Sequence, residues 1–305
     1  MKNKISVLIV TYNRLEKLKK CLEAYSKQTY LPFMIYIVDN NSSDGTKEFL
    51  KEWYNLKEGF SKEILLLDSN VGGSGGFYEG MKAVMNFDFD WLWISDDDAY
   101  PEKNAFYNTN EAINNLKCDV ICSTVNTEEG IDQGHRKIVT EESFSTFGYP
   151  APIENYKKDS FPISIFSFVG TCIKKEVIDS CGFPIRDFFI WFDDTEYSMR
   201  VNEKYKILCV PQISVFHDTI IEKEWKYSWK TYYGERNKLR SMQLHMSKSS
   251  FRKYMIRYCL GMMKHYFTDY NYYISQIDGY RDFKKGVGGV SEKHMPGSKP
   301  AFKNI

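Results

Sequence analysis

The sequence predicts an α/β protein with a mostly parallel, twisted sheet flanked by helices and a helical C-terminal extension. Three observations predict this fold. Short runs of β-branched residues alternate with amphipathic segments, each run ends in a polar loop, and basic and aromatic residues are interleaved from Glu222 onward. Because ligands of such sheets bind at the carboxyl ends of the strands, we expect the functional residues in those polar loops.

The first half of the chain predicts a repeating order of strands and helices. Four apolar runs are read as strands: Ile5 to Val10, Met34 to Val38, Ile64 to Leu67 and Trp91 to Ser95. Amphipathic segments follow the first three runs, beginning near Leu15, near Thr46 and after the glycine-rich stretch 72–76. The polar cluster 39–45 supplies Ser and Asp residues that can cap the second helix.

The pattern is mixed after Pro101. One helix is predicted near 103–116, with strands near 119–123, 164–173 and 207–210, and a loop-like region over 126–159. We therefore divide the chain into an α/β domain over 1–221, a helical extension over 222–285 and a tail over 286–305. This tail is rich in Gly and Lys, so it is predicted to be disordered.

Composition limits the classes of protein that the chain can belong to. The 41 Lys and Arg residues nearly balance the 40 Asp and Glu residues, so no overall positive field favours a nucleic-acid partner. The seven cysteines are scattered and lack a Cys-x-x-Cys pair, which favours reduced, mostly buried thiols. No stretch reaches the ~20 apolar residues that span a bilayer. We expect a cytoplasmic protein, soluble or bound peripherally to the inner face of the cell membrane.

Three consecutive carboxylates, Asp96, Asp97 and Asp98, follow the fourth predicted strand. Like charges repel, and a divalent cation is the simplest compensation. First and third side chains of an extended segment point the same way, so Asp96 and Asp98 can share one cation while Asp97 faces elsewhere. Mn²⁺ or Mg²⁺ suits such a sparse oxygen site. A solvated acidic turn before Pro101 explains the triplet equally well.

A second acidic cluster, with Asp193 and Asp194, lies within an aromatic stretch that includes Trp191. Apolar neighbours raise the pKa of a carboxylate and make it a better base. The same residues can instead cap the helix predicted over 195–204. His217 follows a predicted strand and is either a metal ligand or an ordinary hydrogen-bonded histidine.

These motifs, taken in order, resemble the family-2 glycosyltransferases of the GT-A fold, a Rossmann-like architecture. The resemblance covers about 4–240 and is carried by the segments 10–14, 38–46, 70–77, 91–101 and 191–197. Within the family, the chain is most similar to the bacterial galactofuranosyltransferase branch, with the rhamnosyltransferases close by. It implies a nucleotide-binding half over about 1–101 and an acceptor half over about 102–221.

The resemblance also implies roles for individual residues. Asp194 corresponds to the catalytic base of inverting enzymes, and Asp96, Asp98 and His217 correspond to ligands of Mn²⁺ or Mg²⁺. Asp39 would accept a hydrogen bond from the uracil ring. The implied nucleotide or donor contacts are Thr11, Tyr12, Arg14, Asp39, Asn41, Asn70, Gly73, Asp96 and Asp97. The implied acceptor or diphosphate contacts are Trp191, Asp193 and Arg236, although a helix facing water also explains Arg236.

The leading hypothesis is therefore inverting, metal-dependent transfer of galactofuranose from a UDP donor to a lipid-linked glycan of the cell envelope or capsule. Rhamnosyl transfer from dTDP-rhamnose and nucleotidyl transfer are alternatives within the enzymes. A non-catalytic nucleotide- or glycan-binding protein is the alternative from another class. Segment 252–264 alternates basic with apolar residues, which suits either an anionic membrane surface or helix packing. A homo-oligomer is left open.

Overall fold

The protein is described from a computed structural model, which places residues 2–140, 147–219 and 228–298. Its first half forms the predicted repeat. Strands β1 (Ile5–Thr11), β2 (Met34–Asp39), β3 (Ser61–Leu66) and β4 (Trp91–Asp96) pair in parallel in the order β4-β1-β2-β3. Helices α1 (Leu15–Ser26), α2 (Thr46–Asn55) and α3 (Gly72–Val84) connect them. All four strands therefore end at one edge, where the sequence places its polar loops.

The central strand β1 is buried on both faces. Ile5, Val7 and Ile9 belong to one apolar core, whereas Leu8 and Val10 belong to another on the opposite side of the sheet. Successive side chains of a strand point to opposite faces, so a continuous apolar run requires cover on both sides. The predicted fold class is confirmed: a mixed α/β sheet is flanked by helices.

The second half extends the same sheet with strands of mixed direction. These elements are β5 (Ala99–Pro101), α4 (Ala105–Asn115), β6 (Val120–Thr127), β7 (Gly130–Ile131), β8 (Arg136–Ile138), β9 (Tyr149–Pro150), β10 (Phe161–Pro162), β11 (Ile165–Phe166), β12 (Thr171–Lys174), α5 (Lys175–Cys181), α6 (Asp193–Asn202) and β13 (Ile207–His217). Strand β12 pairs antiparallel with both β4 and β6, and β13 pairs parallel with β6. Over the described residues the large sheet has ten strands, and β8, β9 and β11 form a separate small sheet.

Two predictions for this half need correction. The single strand expected over 164–173 is divided into β11 and β12, because Gly170 between them has a φ of +65°. The strand expected over 207–210 continues to His217 instead, with a register shift against β6 between Cys209 and Ser214. That shift leaves β13 paired with β6 on both sides of it, and β13 still extends to His217, where it pairs with β5.

Three helices follow the α/β domain: α7 (Trp229–His245), α8 (Lys248–Thr268) and α9 (Tyr270–Lys285). None of the helices in the described parts of the chain is long and apolar enough to cross a bilayer. The predicted boundary between domain and extension, at 221/222, lies outside the described residues.

Residues 286–298 belong to the tail that the composition predicts to be disordered, and in the structure His294 of this segment contacts α7. The imidazole of His294 stacks on the ring of Tyr232 with centroids 4.2 Å apart, and the hydroxyl of Tyr233 donates to the His294 carbonyl at 3.0 Å. Composition predicted disorder because the tail is rich in Gly and Lys, but two buried tyrosines of α7 hold it. Residues 299–305 lie outside the description.

Glycines at the start of α3 let two backbone segments approach each other. Gly72 has a φ of +77°, and a Cβ built on it would lie 2.0 Å from the carbonyl oxygen of Phe189. The amide of Ser74 donates to that same oxygen at 3.1 Å. At Gly73, a Cβ would meet nothing within 4 Å. Gly72 therefore approaches the protein's own backbone closely, while Gly73 faces open space.

The substitution Gly72→Ala should destabilise the fold by about 2 kcal/mol or more, because the new Cβ adds a clash to an unfavourable φ. Gly73→Ala is the matched control and should leave the melting temperature unchanged or slightly raised, since alanine favours helix. Thermal unfolding followed by circular dichroism measures both. Equal melting temperatures for the two variants would contradict the close approach at Gly72.

Candidate active site

A cleft of about 950 Å³ opens at the carboxyl ends of β1 and β4. The glycine-rich start of α3, the start of α6 and the end of β13 complete its walls. This size is at the upper end of the range for small-molecule sites. The acidic triplet, Asp193, Asp194 and His217 all line it.

The triplet and His217 meet because of a local turn. Strand β4 ends at Asp96. The next two residues, Asp97 and Asp98, form a turn. Strand β5 then pairs antiparallel with β13, so that Ala99 lies opposite His217. One ligand atom from each of Asp96, Asp98 and His217 lies within 4.8 Å of the other two. Asp96 and Asp98 therefore do converge, but through a turn rather than through the extended chain that the sequence suggested.

Cationic side chains partly neutralise the triplet. Arg14 Nη1 lies 2.7 Å from Asp98 Oδ2 and 3.2 Å from Asp97 Oδ1, and Lys17 Nζ lies 3.6 Å from Asp98 Oδ2. Asp97 also accepts a 2.7 Å hydrogen bond from the Thr11 hydroxyl. These contacts turn Asp97 toward Thr11 and Arg14 and leave the other oxygen of Asp98 directed at His217.

The remaining atoms fit a divalent cation. Asp98 Oδ1 and His217 Nδ1 are buried and make no hydrogen bond to any described residue, although Asp98 Oδ1 lies 3.3 Å from His217 Nε2. Burial and the charge of Asp98 raise the pKa of Asp96 to about 7, so its charge is poorly compensated by the protein alone. Two carboxylates and one imidazole form a donor set that Mn²⁺ or Mg²⁺ accepts when substrate oxygens complete the shell.

The second pair of carboxylates stands in the first turn of α6. Asp193 is buried, and burial with the charge of Asp194 raises its pKa to about 8. Asp194 is half-buried, and its Oδ1 accepts from the Thr195 amide at 2.5 Å and from the Thr195 hydroxyl at 3.1 Å. Burial raises the pKa of Asp194 as well. Burial thus raises the pKa of both carboxyl groups, and Asp194 is the more accessible of the two.

The loop before α6 has a strained backbone. Phe189, Trp191 and Phe192 have φ values of 66°, 66° and 70°, in the left-handed region that bulky residues rarely adopt. Phe192 is the residue immediately before α6, so neither aspartate is the N-cap, which corrects the capping alternative. The loop sets where α6 begins and therefore where both carboxylates point.

The side chain of Asn237, from α7, fixes this loop. Its Nδ2 atom lies 2.8 to 2.9 Å from the carbonyl oxygens of Phe188, Ile190 and Trp191. The buried side-chain amide of Asn237 is thus a shared hydrogen-bond donor to three carbonyls of this loop. The strain is thereby maintained by a helix outside the α/β domain.

Comparison with known proteins decides the family. The model of glycosyl transferase family 2 matches residues 6–182, more than half of the 305 residues. The protein is a family 2 glycosyltransferase.

Curated relatives of this glycosyltransferase include galactofuranosyltransferase GlfT1 of Mycolicibacterium smegmatis, which is 23% identical over 207 residues and aligned over 65% of each chain. GlfT1 of Mycobacterium tuberculosis is 30% identical over 102 residues, which is 33% of each chain. The match thus spans between about one third and just under two thirds of the length of these relatives.

Solved structures share the fold of this glycosyltransferase. The crystal structure of GalNAc-T7 with UDP, GalNAc and Mn²⁺ superimposes with a TM-score of 0.67 at 17% identity, covering 93% of this chain and 56% of that one. S. aureus TarS 1–349 in complex with UDP gives a TM-score of 0.57 at 15% identity, covering 82% and 69%.

The structure brings most, but not all, of the expected nucleotide contacts into the cleft of the glycosyltransferase. Thr11, Tyr12, Arg14, Asn70 and Gly73 line it. Two expected contacts, Asp39 and Asn41, do not. Asp39 is fully buried and accepts from the Ser42 amide, and the Asn41 amide oxygen accepts from Lys47. These bonds order the loop after β2, and the contact of Asp39 with a uracil ring stays a prediction.

Arg236 of the glycosyltransferase is likewise outside the cleft. It is 3% exposed, and its guanidinium donates to the carbonyls of Gly289, Asp187 and Phe188 at 2.9 to 3.1 Å. A helix facing water does not describe Arg236, because this part of α7 is buried, whereas its contact with a diphosphate or an acceptor stays a prediction. By contrast, the side chain of Trp191 is 41% exposed and lines the cleft.

His135 is not among the residues predicted for the site, because it lies in a region predicted to be a loop. Its Nδ1 lies 2.6 Å from the Ser167 hydroxyl and its Nε2 lies 3.3 Å from Asp132 Oδ2. Its ring meets that of His217 edge to face, with centroids 5.2 Å apart. His135 is therefore held by two partners and limits the rotation of the His217 ring. Only a structure could pair two histidines that are so far apart in sequence.

The substitution His135→Ala should weaken Mn²⁺ binding by about tenfold, because groups that orient a metal ligand typically contribute that much to affinity. Calorimetric titration with Mn²⁺ in the presence of UDP measures the change. His265→Ala, on α8, is the control for loss of a histidine and should leave Mn²⁺ affinity unchanged. If His135→Ala bound Mn²⁺ with wild-type affinity, the contact with His135 would not be needed to orient His217 as a metal ligand.

Proposed function

We propose that this glycosyltransferase transfers galactofuranose from UDP-galactofuranose, with inversion, to a lipid-linked glycan of the cell envelope. One observation carries the proposal: a single cleft joins the Asp96, Asp98 and His217 group to the accessible carboxylate of Asp194. The choice of sugar is supported by the two galactofuranosyltransferase relatives. The choice of UDP is supported by the solved structures that bind it.

The side chains divide the reaction between them. Asp194 accepts the proton of the acceptor hydroxyl as that oxygen bonds to the anomeric carbon, and the bond from the anomeric carbon to the diphosphate breaks on the opposite side. The leaving nucleoside diphosphate departs with the bonding electrons. A divalent cation held by Asp96, Asp98 and His217 would supply positive charge against it. Thr11 and Arg14 hold Asp97 away from that position.

A donor screen tests the proposal. UDP-galactofuranose, other UDP-sugars and dTDP-rhamnose are offered with a lipid-linked glycan acceptor, with Mn²⁺, with Mg²⁺ and with chelator, and nucleoside diphosphate release is measured. We expect release of UDP from UDP-galactofuranose that stops on chelation. Preferred release of dTDP would identify a rhamnosyltransferase. Metal-independent UDP binding without release would identify a non-catalytic binding protein.

The pH dependence of transfer should follow the raised pKa of Asp194. A base works when deprotonated, so the rate falls as pH falls through its pKa. Because burial raises that pKa, the acid limb should lie above the value of about 3.9 of an ordinary aspartate. Measurement of kcat between about pH 3 and pH 9 at saturating Mn²⁺ tests this. A midpoint at or below the ordinary value would argue against a desolvated base.

A further inference from the structure

The outer face of α8 combines strong positive charge with exposed apolar side chains. Over its 21 residues the helix contains no Asp or Glu. Its basic residues are Lys248, Arg252, Lys253, Arg257 and Lys264. The whole chain has a net charge of only +1, so this is a local concentration of charge. A helix that packs only against its own protein does not need it.

Four large apolar side chains on α8 are exposed in a helical stripe. Ile256, Leu260, Met263 and Phe267 are 63%, 61%, 62% and 83% exposed. Their spacing of four, three and four residues places them on one face of the helix. Buried Tyr258 and Met262 hold the opposite face against the protein. The apolar stripe is therefore available to something outside the chain.

The basic residues border this stripe on both sides. At about 100° per residue, the four apolar side chains lie within an arc of about 60°. Lys253, Lys264 and Arg257 follow on one side of the arc, and Arg252 lies on the other. An apolar cavity of about 480 Å³ between α8 and α9, lined by Ile256 and Leu260, continues the apolar surface. This is the arrangement of a helix that lies in a membrane interface, with apolar side chains inward and cations at headgroup level.

We infer that this face of α8 binds the surface of an anionic lipid bilayer. Charge decides between a membrane and a second copy of the chain. A two-fold dimer would place the same patch on both sides, so basic residues would face basic residues. An anionic bilayer instead supplies negative headgroups for the cations and acyl chains for the stripe. The inference depends on α8 alone and not on the identity of the donor sugar.

The position of α8 links this surface to the active site. Tyr254 lines the cleft, and the stripe begins two residues later at Ile256. The two residues are about 3 Å apart along the helix axis and about 200° apart around it, so the cleft and the stripe lie on opposite faces of the same short part of α8. Membrane binding through α8 would hold the cleft beside the headgroups. This step rests on the proposed function, because it supplies an acceptor whose lipid remains in the bilayer.

Vesicle co-sedimentation of the full chain tests the inference. Phosphatidylcholine vesicles with about 30% phosphatidylglycerol should bind the protein, and pure phosphatidylcholine should bind it at least about tenfold less, because each basic residue near the surface adds about fivefold to the partition. High salt should release it. Equal binding to both vesicle types, or no binding to either, overturns the inference.

Two variants and a control locate the surface. Ile256→Ser with Phe267→Ser removes apolar contacts, and Arg252→Gln with Arg257→Gln removes two charges. Each pair should lower partition at least tenfold while circular dichroism stays unchanged. Leu244→Ser, at a site 55% exposed on α7, is the control and should bind as the wild type does. Unchanged binding by both variant pairs overturns the assignment to α8.

Light scattering and turnover separate the remaining outcomes. A wild-type dimer that Ile256→Ser with Phe267→Ser converts to monomer would show that a second copy covers the stripe, and this overturns the inference. UDP release from donor without vesicles reports on the active site independently. Membrane binding without any transferase activity would therefore support the α8 surface and count against the proposed function.

Discussion

Replacement of Asp194 by asparagine should lower the rate of sugar transfer by about 10²- to 10⁴-fold, the usual contribution of a general base. Asparagine can still accept the hydrogen bonds that Thr195 donates, so α6 should begin at the same place. It cannot take a proton from the acceptor hydroxyl. The measurement is kcat with donor and acceptor saturating, combined with calorimetric titration of UDP, for which affinity should change less than about twofold.

The matched control for this variant is Asp179→Asn. Asp179 is exposed on α5 and does not line the cleft, and the same chemical change there should leave kcat unaltered. If Asp194→Asn retained full turnover, the role of base would pass to another group. Asp193 is the first to test, because it neighbours Asp194 and lines the same cleft, and because burial raises its pKa to about 8.

Replacement of Asp98 by asparagine should reduce Mn²⁺ affinity by about 100-fold or more, since it removes a charged member of the donor set. The pKa of Asp98 is low despite its burial, because His217 and Arg14 favour the charged form. Its carboxylate is therefore the permanent negative charge of the group. Calorimetric titration with Mn²⁺ measures binding, and transfer at millimolar Mn²⁺ shows whether excess metal restores activity.

The control for Asp98 is Asp218→Asn. Asp218 lies 3.9 Å from Lys17, which also contacts Asp98, and it accepts a 3.0 Å hydrogen bond from Tyr100, but it does not belong to the Asp96, Asp98 and His217 group. The Asp218→Asn variant should bind Mn²⁺ with the affinity of the wild type. Similar losses in both variants would indicate a general electrostatic effect on the cleft and not the removal of a ligand.

The parts of this site that sequence could predict are those that follow strands. Asp96 ends β4, Asp98 follows it and His217 ends β13, so their meeting at one sheet edge follows from the alternation of strands and helices. The local geometry that brings these three side chains together could not be predicted from the sequence. Their convergence depends on a turn at Asp97 and on the antiparallel pairing of β5 with β13, which joins residues more than a hundred positions apart.

Other features had no local signal because distant partners create them. The left-handed backbone of Phe189, Trp191 and Phe192 opposes the preference of bulky residues and exists because of Asn237. His135 lies in a segment without periodicity, and the order of residues 286–298 depends on buried tyrosines of α7. Intrinsic preference and composition report on neighbours in sequence, and here neighbours in space prevail.

The three carbonyls gathered by Asn237 also bear on how such enzymes can recombine. The family match ends at residue 182, before the loop at 188–191 and before α7. A chimaera that joined the matched segment to the loop and α6 of this protein, but took its last helices from a relative, would separate the loop from its amide. The loop, Asp194 and α7 therefore depend on one another structurally, and we expect acceptor preference to pass between relatives only when 183–298 is transferred whole.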